Sequence, residues 1–160
     1  MRFLIHILGP GSTIIILSDR IMYNVLITGD AIGLYYDRRL IPVAVPMFDG
    51  DKAKESLKRL LIENAGKIMV THFGVCDEPA NKVINKAIAK IIEWEDIISN
   101  LLKSGIYSAD EVYRKMLEVD EDLKYIVTIR ENNPLSKGSG YNCVLGMIYY
   151  VAEKLGIRVK

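Results

Sequence analysis

Histidine and cysteine are scarce in this chain, and their scarcity excludes several kinds of site. Among 160 residues there are two histidines, His6 and His72, and two cysteines, Cys76 and Cys143. No Cys-x-x-Cys pair occurs, so the sequence gives no sign of a structural zinc ribbon or a disulfide framework. Two isolated cysteines are typical of reduced thiols in a cytoplasmic protein.

Excess charge and long apolar runs are also missing. The formal net charge is +1, whereas nucleic-acid-binding domains usually carry a strong basic excess, so no nucleic-acid partner is expected. The apolar run after Arg2 is broken by His6 and then by Gly9, and no small-residue cleavage site follows. We therefore expect no signal peptide. Since no apolar run approaches the length of a membrane span, we expect no membrane partner.

Short apolar runs that end at glycine, proline or aspartate predict strands in the first half of the chain. The four clearest runs are residues 3–8, 13–18, 23–28 and 67–71, and shorter extended pieces cover 34–36 and 41–45. Pro42 and Pro46 indicate that the last of these is an edge or a loop rather than a central strand. Asp51 is placed to cap a helix that reaches about Asn64, with Gly66 closing it. The first half is therefore rich in strands.

After Gly74 the pattern changes to helical spacing. Pro79 is suited to the first turn of a long helix that reaches about Lys103, and the spacing of Ser108 and Glu111 predicts a capping box at the start of the next helix. Two more helices are predicted, over about 120–130 and 141–155. The fold class is thus α+β, with a strand-rich part at 1–76, which includes the helix at about 51–64, and a helical region at 77–160 packed on it.

Two of the buried-strand runs end in the same way. The run 25–28 leads to Gly29 and Asp30, and the run 68–71 leads to His72 and Gly74. Glycine lets the backbone turn sharply after a strand. If the two strands are neighbours, the carboxylate and the imidazole lie at one edge of one sheet.

Four segments, taken in order, resemble the C-terminal half of metallo-β-lactamase superfamily hydrolases, most of all the archaeal, glyoxalase-II-like branch. They are Thr28 to Gly33, Pro46 to Asp49, Ser56 to Leu60, and Thr71 to Gly74. The resemblance implies an αββα sandwich, here represented by its C-terminal half followed by a helical region. It also implies a site for one or two metal ions, usually zinc, in which Asp30 would be the bridging carboxylate and His72 the last histidine ligand.

The chain departs from that family at the main ligand motif. No His-x-His-x-Asp-His run is present, and His6 matches a position that is generally not a ligand. Because catalytic zinc usually keeps about three protein ligands, zinc is expected to bind weakly or not at all to this chain alone. Asp30 and His72 can then be read as a hydrogen-bonded or charge-paired remnant, and Cys76 as a small buried apolar residue or an added soft ligand.

The resemblance leaves two functions open. The chain is a metal-dependent hydrolase that becomes active when another chain or segment supplies the missing ligands, or it is a truncated, non-catalytic paralogue that acts as an oligomeric binding or interaction protein. The substrate-pocket positions would be Tyr141 and Asn142, which the sequence does not distinguish from ordinary residues at a helix start; no catalytic residue is assigned. A homo-oligomer, most simply a two-fold dimer, is expected to cover the apolar strands.

Overall fold

A computed structural model describes residues 2–7, 13–18, 24–45, 47–70, 74–131 and 138–160. The fold is α+β, as predicted, with strands and one helix first and a run of helices after them. The described residues fall into two compact units, one made from residues 1–43 and 51–89 and the other from 44–50 and 90–160. The boundary predicted at residue 76 stays a prediction.

The first unit contains a five-stranded sheet in the order β1-β2-β3-β6-β7. Its strands are β1 (Arg2–Ile7), β2 (Thr13–Ser18), β3 (Asn24–Ile27), β6 (Lys67–Val70) and β7 (Gly74–Val75). All neighbours pair antiparallel except β3 and β6, which run parallel. A parallel pair needs a crossover connection, and helix α1 (Gly50–Ile62) lies in the chain between β3 and β6.

A separate two-stranded hairpin, β4 (Leu34–Tyr36) and β5 (Arg39–Ile41), also belongs to the first unit. Of the extended piece predicted at 41–45, Ile41 ends β5 and residues 42–45 form a loop, which is one of the two alternatives that its prolines indicated. Pro42 has no N–H to donate to a partner strand, so the ladder does not continue through it. The hairpin has few residues, but Leu34, Leu40 and Ile41 are all buried and attach it to the core.

The second unit is helical. Its helices are the later part of α2 (Ala80–Lys103), then α3 (Ala109–Val119), α4 (Glu121–Glu131) and α5 (Ser139–Leu155). The predicted cap is confirmed, since Ser108 accepts a hydrogen bond from the Glu111 N–H at 3.4 Å. Gly156 ends α5 with a φ of 66°, which glycine adopts without strain. Among the described residues, no helix is long and apolar enough to cross a membrane.

Candidate functional site

The parallel pairing of β3 with β6 sets the geometry of the predicted site. Leu26 lies opposite Ile68 and Ile27 opposite Met69, and the Thr28 N–H donates to the Met69 carbonyl at 3.2 Å. The condition that the two strands be neighbours is confirmed. Because parallel strands point the same way, their carboxyl ends meet at one edge of the sheet.

Asp30 lies at that edge, in a short 3-10 turn, Gly29–Ile32, directly after β3. Its side chain is exposed. His72 follows β6 in the sequence but lies outside the described residues, so its proximity to Asp30 stays a prediction. His6 lies in β1 opposite Ile14, and its side chain is also outside the described part.

A second polar cluster of the first unit lies where the hairpin approaches the segment after β7. Tyr35 is 4% exposed, and its hydroxyl lies 2.5 Å from Asp77 Oδ1 and 3.0 Å from Glu78 Oε2. Since a hydroxyl carries one proton, Tyr35 donates to one carboxylate at a time, and the shorter distance favours Asp77. Arg38 Nε donates to the other oxygen of Asp77 at 2.5 Å.

The cluster shifts the pKa values of its members. Burial, followed by the hydrogen bonds to the two carboxylates, raises the pKa of Tyr35 far above its ordinary value. The hydrogen bond from Tyr35, followed by that from Arg38, lowers the pKa of Asp77 to about 2. Lys82 hydrogen-bonds to Glu78 and lowers the pKa of that carboxyl as well. At neutral pH the cluster is therefore a neutral phenol held by two carboxylates.

The hairpin tip is held in an uncommon backbone conformation. Asp37 and Arg38, the two central residues of the turn, have φ values of 48° and 60°. A two-residue turn with both central φ values positive matches the twist of a hairpin, but asparagine and glycine usually occupy it. The side-chain bond from Arg38 to Asp77 and a hydrogen bond from Lys86 Nζ to the Arg38 carbonyl hold the turn in place.

A pocket of about 210 Å³ lies beside the end of β6 and the hairpin tip. The residues that line it combine phenol rings, small apolar groups, a thiol and two carboxylates: Tyr35, Tyr36, Asp37, Val70, Gly74, Val75, Cys76 and Asp77. Burial raises the pKa of the Cys76 thiol to about 11. Cys76 is therefore protonated at neutral pH, and it lacks the thiolate that binds metals or attacks a substrate.

The described residues do not fit a metal ion by themselves. In this part of the chain, no group of three or more histidine, cysteine, aspartate or glutamate side chains is close enough to hold one. Of the predicted donors, Asp30 is described and His72 is not. No metal-dependent step is therefore derived from the described side chains.

The two predicted substrate-pocket residues are on α5. Tyr141 donates from its hydroxyl to Asp110 Oδ1 at 2.8 Å, and its ring packs edge-on against Tyr113 with centroids 5.1 Å apart. Both contacts join α5 to α3. Asn142 is exposed on the same helix. A substrate role for this pair stays a prediction.

Sequence reasoning missed the Tyr35 cluster entirely. Tyr35 is separated from Asp77 by 42 positions, and neither residue belongs to a motif. The sequence shows two local signals: Tyr35 and Tyr36 precede a polar turn, and Asp77 and Glu78 precede Pro79. Such signals are common on surfaces, so nothing in the sequence links the two pairs.

No family model matches the chain, and no solved structure matches it. One curated relative, a metallo-beta-lactamase fold-containing protein of Sulfurisphaera tokodaii, is 30% identical over 95 residues. The match covers 59% of this chain and 34% of the relative, so the chain aligns with about a third of that protein's length. This likeness supports the metallo-β-lactamase superfamily.

The match with this relative supports the superfamily as a whole and no particular branch of it. The relative's name gives a fold and no substrate, so the match names neither a glyoxalase-II-like branch nor a C-terminal half.

Removing the hydroxyl oxygen of Tyr35 is expected to change both the stability of the protein and the pKa of Asp77. Tyr35→Phe is expected to lower the free energy of unfolding by about 0.5–1.5 kcal/mol, the usual net value of one hydrogen bond. A carboxyl whose pKa is lowered by folding stabilises the protein at any pH above about 3.9, its pKa in the unfolded chain. This contribution to stability is lost as the pH falls toward the pKa of the carboxyl in the folded protein. In Tyr35→Phe, Asp77 is therefore expected to titrate at a higher pH than about 2.

Carboxyl titration followed by NMR, together with urea unfolding, measures both effects. Tyr149→Phe is the matched control, because Tyr149 is 53% exposed and is not part of the cluster. An Asp77 pKa that is the same in the variant and the parent would contradict the prediction.

Proposed function

We propose that this chain is a metal-dependent hydrolase-like protein of the metallo-β-lactamase superfamily whose metal site is incomplete. It becomes active when another chain or segment supplies the missing ligands. The observation that carries this proposal is the parallel pairing of β3 with β6. Asp30 directly follows β3, and β6 ends at Val70 at the same sheet edge. His72 comes two residues later in the sequence, which supports a shared site.

The sequence and the relative support the same proposal. The Thr28 to Gly33 and Thr71 to Gly74 segments follow the superfamily order, and the Sulfurisphaera tokodaii protein carries the superfamily in its name. In this proposal Asp30 would bind the metal through a carboxylate oxygen and His72 through a ring nitrogen, both suitable donors for zinc. The metal would supply an activated hydroxide for hydrolysis. No catalytic role is assigned to any other residue of the chain.

The metal site is proposed to be incomplete because the chain offers few metal-binding side chains. The whole sequence has two histidines, and the described residues form no group of three donors. About three protein ligands are needed for a catalytic zinc. Two donors leave too few bonds to offset the dehydration of the ion.

Metal analysis tests the proposal. After dialysis against a mild chelator, the purified chain is expected to retain well under one equivalent of zinc. Weak binding of added zinc, measured by calorimetry, is expected to fall in both Asp30→Asn and His72→Asn and to be unchanged in the control Asp96→Asn, an exposed aspartate of α2. One or two tightly held zinc ions per chain would contradict the claim that the metal site is incomplete. Equal zinc affinity in all variants would contradict the claim that Asp30 and His72 bind the metal.

Exposed apolar side chains support a second candidate function. In it, the chain is a non-catalytic paralogue that acts in the cytoplasm as an oligomeric binding or interaction protein. Large apolar side chains of the first unit are exposed, with Ile62 at 81% and Val75 at 52%. In this candidate function, these side chains are covered by a second copy of the chain.

Both candidate functions predict self-association, most simply as a two-fold dimer. A stable interface of this kind buries about 2,000 Å² or more in total. Sedimentation velocity at micromolar concentration is expected to give about twice the chain mass of 18.1 kDa. A single species at the monomer mass, unchanged with concentration, would contradict the dimer.

A further inference from the structure

Met47 is held in a backbone conformation that its residue type rarely adopts. The Phe48 N–H donates to the Val45 carbonyl at 2.9 Å, which closes a tight turn with Met47 as its third residue. The φ of Met47 is 72°, whereas glycine or asparagine usually occupies a turn position with positive φ. A bulky side chain at positive φ is an outlier, and backbone strain of this kind concentrates at functional positions.

Both ends of this turn are fixed on α5. The segment 44–50 belongs to the second unit, as α5 does. Ala44 is fully buried, and its carbonyl group occupies the space that a Cβ on Gly146 would need. On the other side of the turn, the Phe48 ring packs edge-on against Tyr150, with ring centroids 5.8 Å apart. These contacts support the turn from both sides.

The Met47 side chain lies in solvent. Met47 is 96% exposed, and its neighbour Val45 is 52% exposed. By contrast, Met69 is half-buried in β6, and Met116 and Met147 are fully buried. Of the methionines that the structure describes, Met47 is therefore the one whose thioether sulfur is most accessible to a dissolved reagent.

We propose that Met47 is a site of reversible oxidation by hydroperoxides. The thioether sulfur attacks one oxygen of hydrogen peroxide, an S–O bond forms, and the O–O bond breaks. The sulfur is oxidised to the sulfoxide, and the peroxide is reduced and leaves as water. Methionine sulfoxide reductases reverse the step with a dithiol, which becomes a disulfide while the oxygen leaves as water. The site is independent of the proposed metal site.

The position of Met47 determines what its oxidation does to the protein. A sulfoxide is polar, so it disrupts a core when it forms on a buried methionine. At Met47 the added oxygen enters water, and the contacts of Ala44 and Phe48 that fix the turn do not involve the sulfur. We therefore expect the fold to be kept, while the exposed apolar surface formed by Met47 and Val45 becomes polar at its tip.

Peptide mass spectrometry measures the oxidation of each methionine. The full chain, treated with a chelator so that trace metals generate no radicals, is exposed to hydrogen peroxide. Cleavage after lysine and arginine places Met47, Met69, Met116 and Met147 on four different peptides. In the folded chain, Met47 is expected to oxidise within about threefold of its rate in the urea-unfolded chain. Met116 and Met147 are expected to be slower by about 100-fold or more, because they react only while their unit is open.

Met47→Leu removes the sulfur and keeps an apolar side chain of similar size. The variant is expected to lose the fast oxygen uptake and to keep the urea midpoint of the parent, whereas the control Met69→Leu is expected to keep the fast uptake. Protein oxidised at Met47 alone is expected to unfold at the same urea midpoint as unoxidised protein. The methionine sulfoxide reductases, supplied with dithiothreitol, are expected to restore the original peptide mass.

Four results would overturn the proposal. A Met47 rate about tenfold or more below its rate in the unfolded chain would show that the side chain is covered. Equal rates at Met47, Met116 and Met147 would show that oxidation follows opening of the unit and not a preformed site. A lower urea midpoint after oxidation at Met47 would contradict the claim that the fold accommodates the sulfoxide, and a sulfoxide that the reductases leave in place would contradict reversibility.

Discussion

Replacing Asp120 with alanine is expected to lower the free energy of unfolding of the helical unit by about 2–5 kcal/mol, the combined effect of a buried N–H left without its acceptor and of a lost helix cap. Asp120 is 2% exposed and lies between α3 and α4. Its carboxylate accepts from the indole N–H of Trp94 at 2.5 Å and from the Leu123 backbone N–H at 2.9 Å. Lys90 Nζ lies 3.4 Å from the same group.

The Asp120 side chain thus caps α4, accepts a hydrogen bond from the fully buried Trp94 and offsets the charge of Lys90. Alanine leaves the indole N–H and the first turn of α4 without acceptors in the interior, and each such loss is unfavourable. Lys90 keeps Glu93 at 2.8 Å and Asp122 at 3.5 Å, so its charge stays partly offset. The loss therefore comes mainly from two N–H groups, the indole N–H of Trp94 and the Leu123 N–H that Asp120 caps.

Trp94 provides the measurement, since it is the single tryptophan of the chain and lies beside the changed group. Urea unfolding followed by its fluorescence reports directly on this unit. Asp120→Asn, which keeps a capping oxygen, is expected to fall between the alanine variant and the parent. Asp96→Ala, on the exposed side of α2, is the control, and a loss in Asp120→Ala no larger than in this control would refute the argument.

Gly146→Ala is expected to destabilise the same unit by about 1–3 kcal/mol or more, the effect of overpacking. A Cβ at this position would lie 2.0 Å from the carbonyl oxygen of Ala44 and 2.6 Å from its carbonyl carbon. Both are backbone atoms, so relief requires a shift of the main chain. Helix propensity alone would favour alanine over glycine by about 1 kcal/mol, so the clash must exceed this gain.

Gly140→Ala is the matched control, on the same helix. There the added Cβ would lie 2.4 Å from Cγ2 of Val127, a side-chain atom. Relief there requires a shift of one stiff side chain but no shift of the backbone. The expected loss is therefore smaller than for Gly146→Ala. Thermal unfolding of both variants decides the comparison, and an equal or larger loss in Gly140→Ala would contradict the distinction between backbone and side-chain contact.

Local signals explain which elements could be predicted. Ser108 is followed by Glu111 at the capping-box spacing, and a helix begins at that cap. The apolar spacing after Pro79 gave a helix that ends at Lys103, as expected. The two-residue strand β7 was missed because a strand so short has no periodicity.

Long-range contacts explain what could not be predicted. The pairing of β3 with β6 was expected only on the condition that the strands be neighbours, and the register confirms that condition. The Tyr35 cluster depends on a hydrogen bond across 42 positions and on a turn that does not use asparagine and glycine. Neither feature leaves a pattern in one sequence. The predicted partner of Asp30, His72, lies outside the described residues and stays a prediction.

The two cysteines allow local opening of each unit to be measured separately. Cys76 is buried in the first unit and Cys143 in the second. An alkylating reagent reaches a buried thiol only while the surrounding structure is open, and it reacts with the thiolate. After correction for reactivity in the unfolded chain, equal protection of the two thiols would mean that the units open together, whereas unequal protection would rank them by local stability.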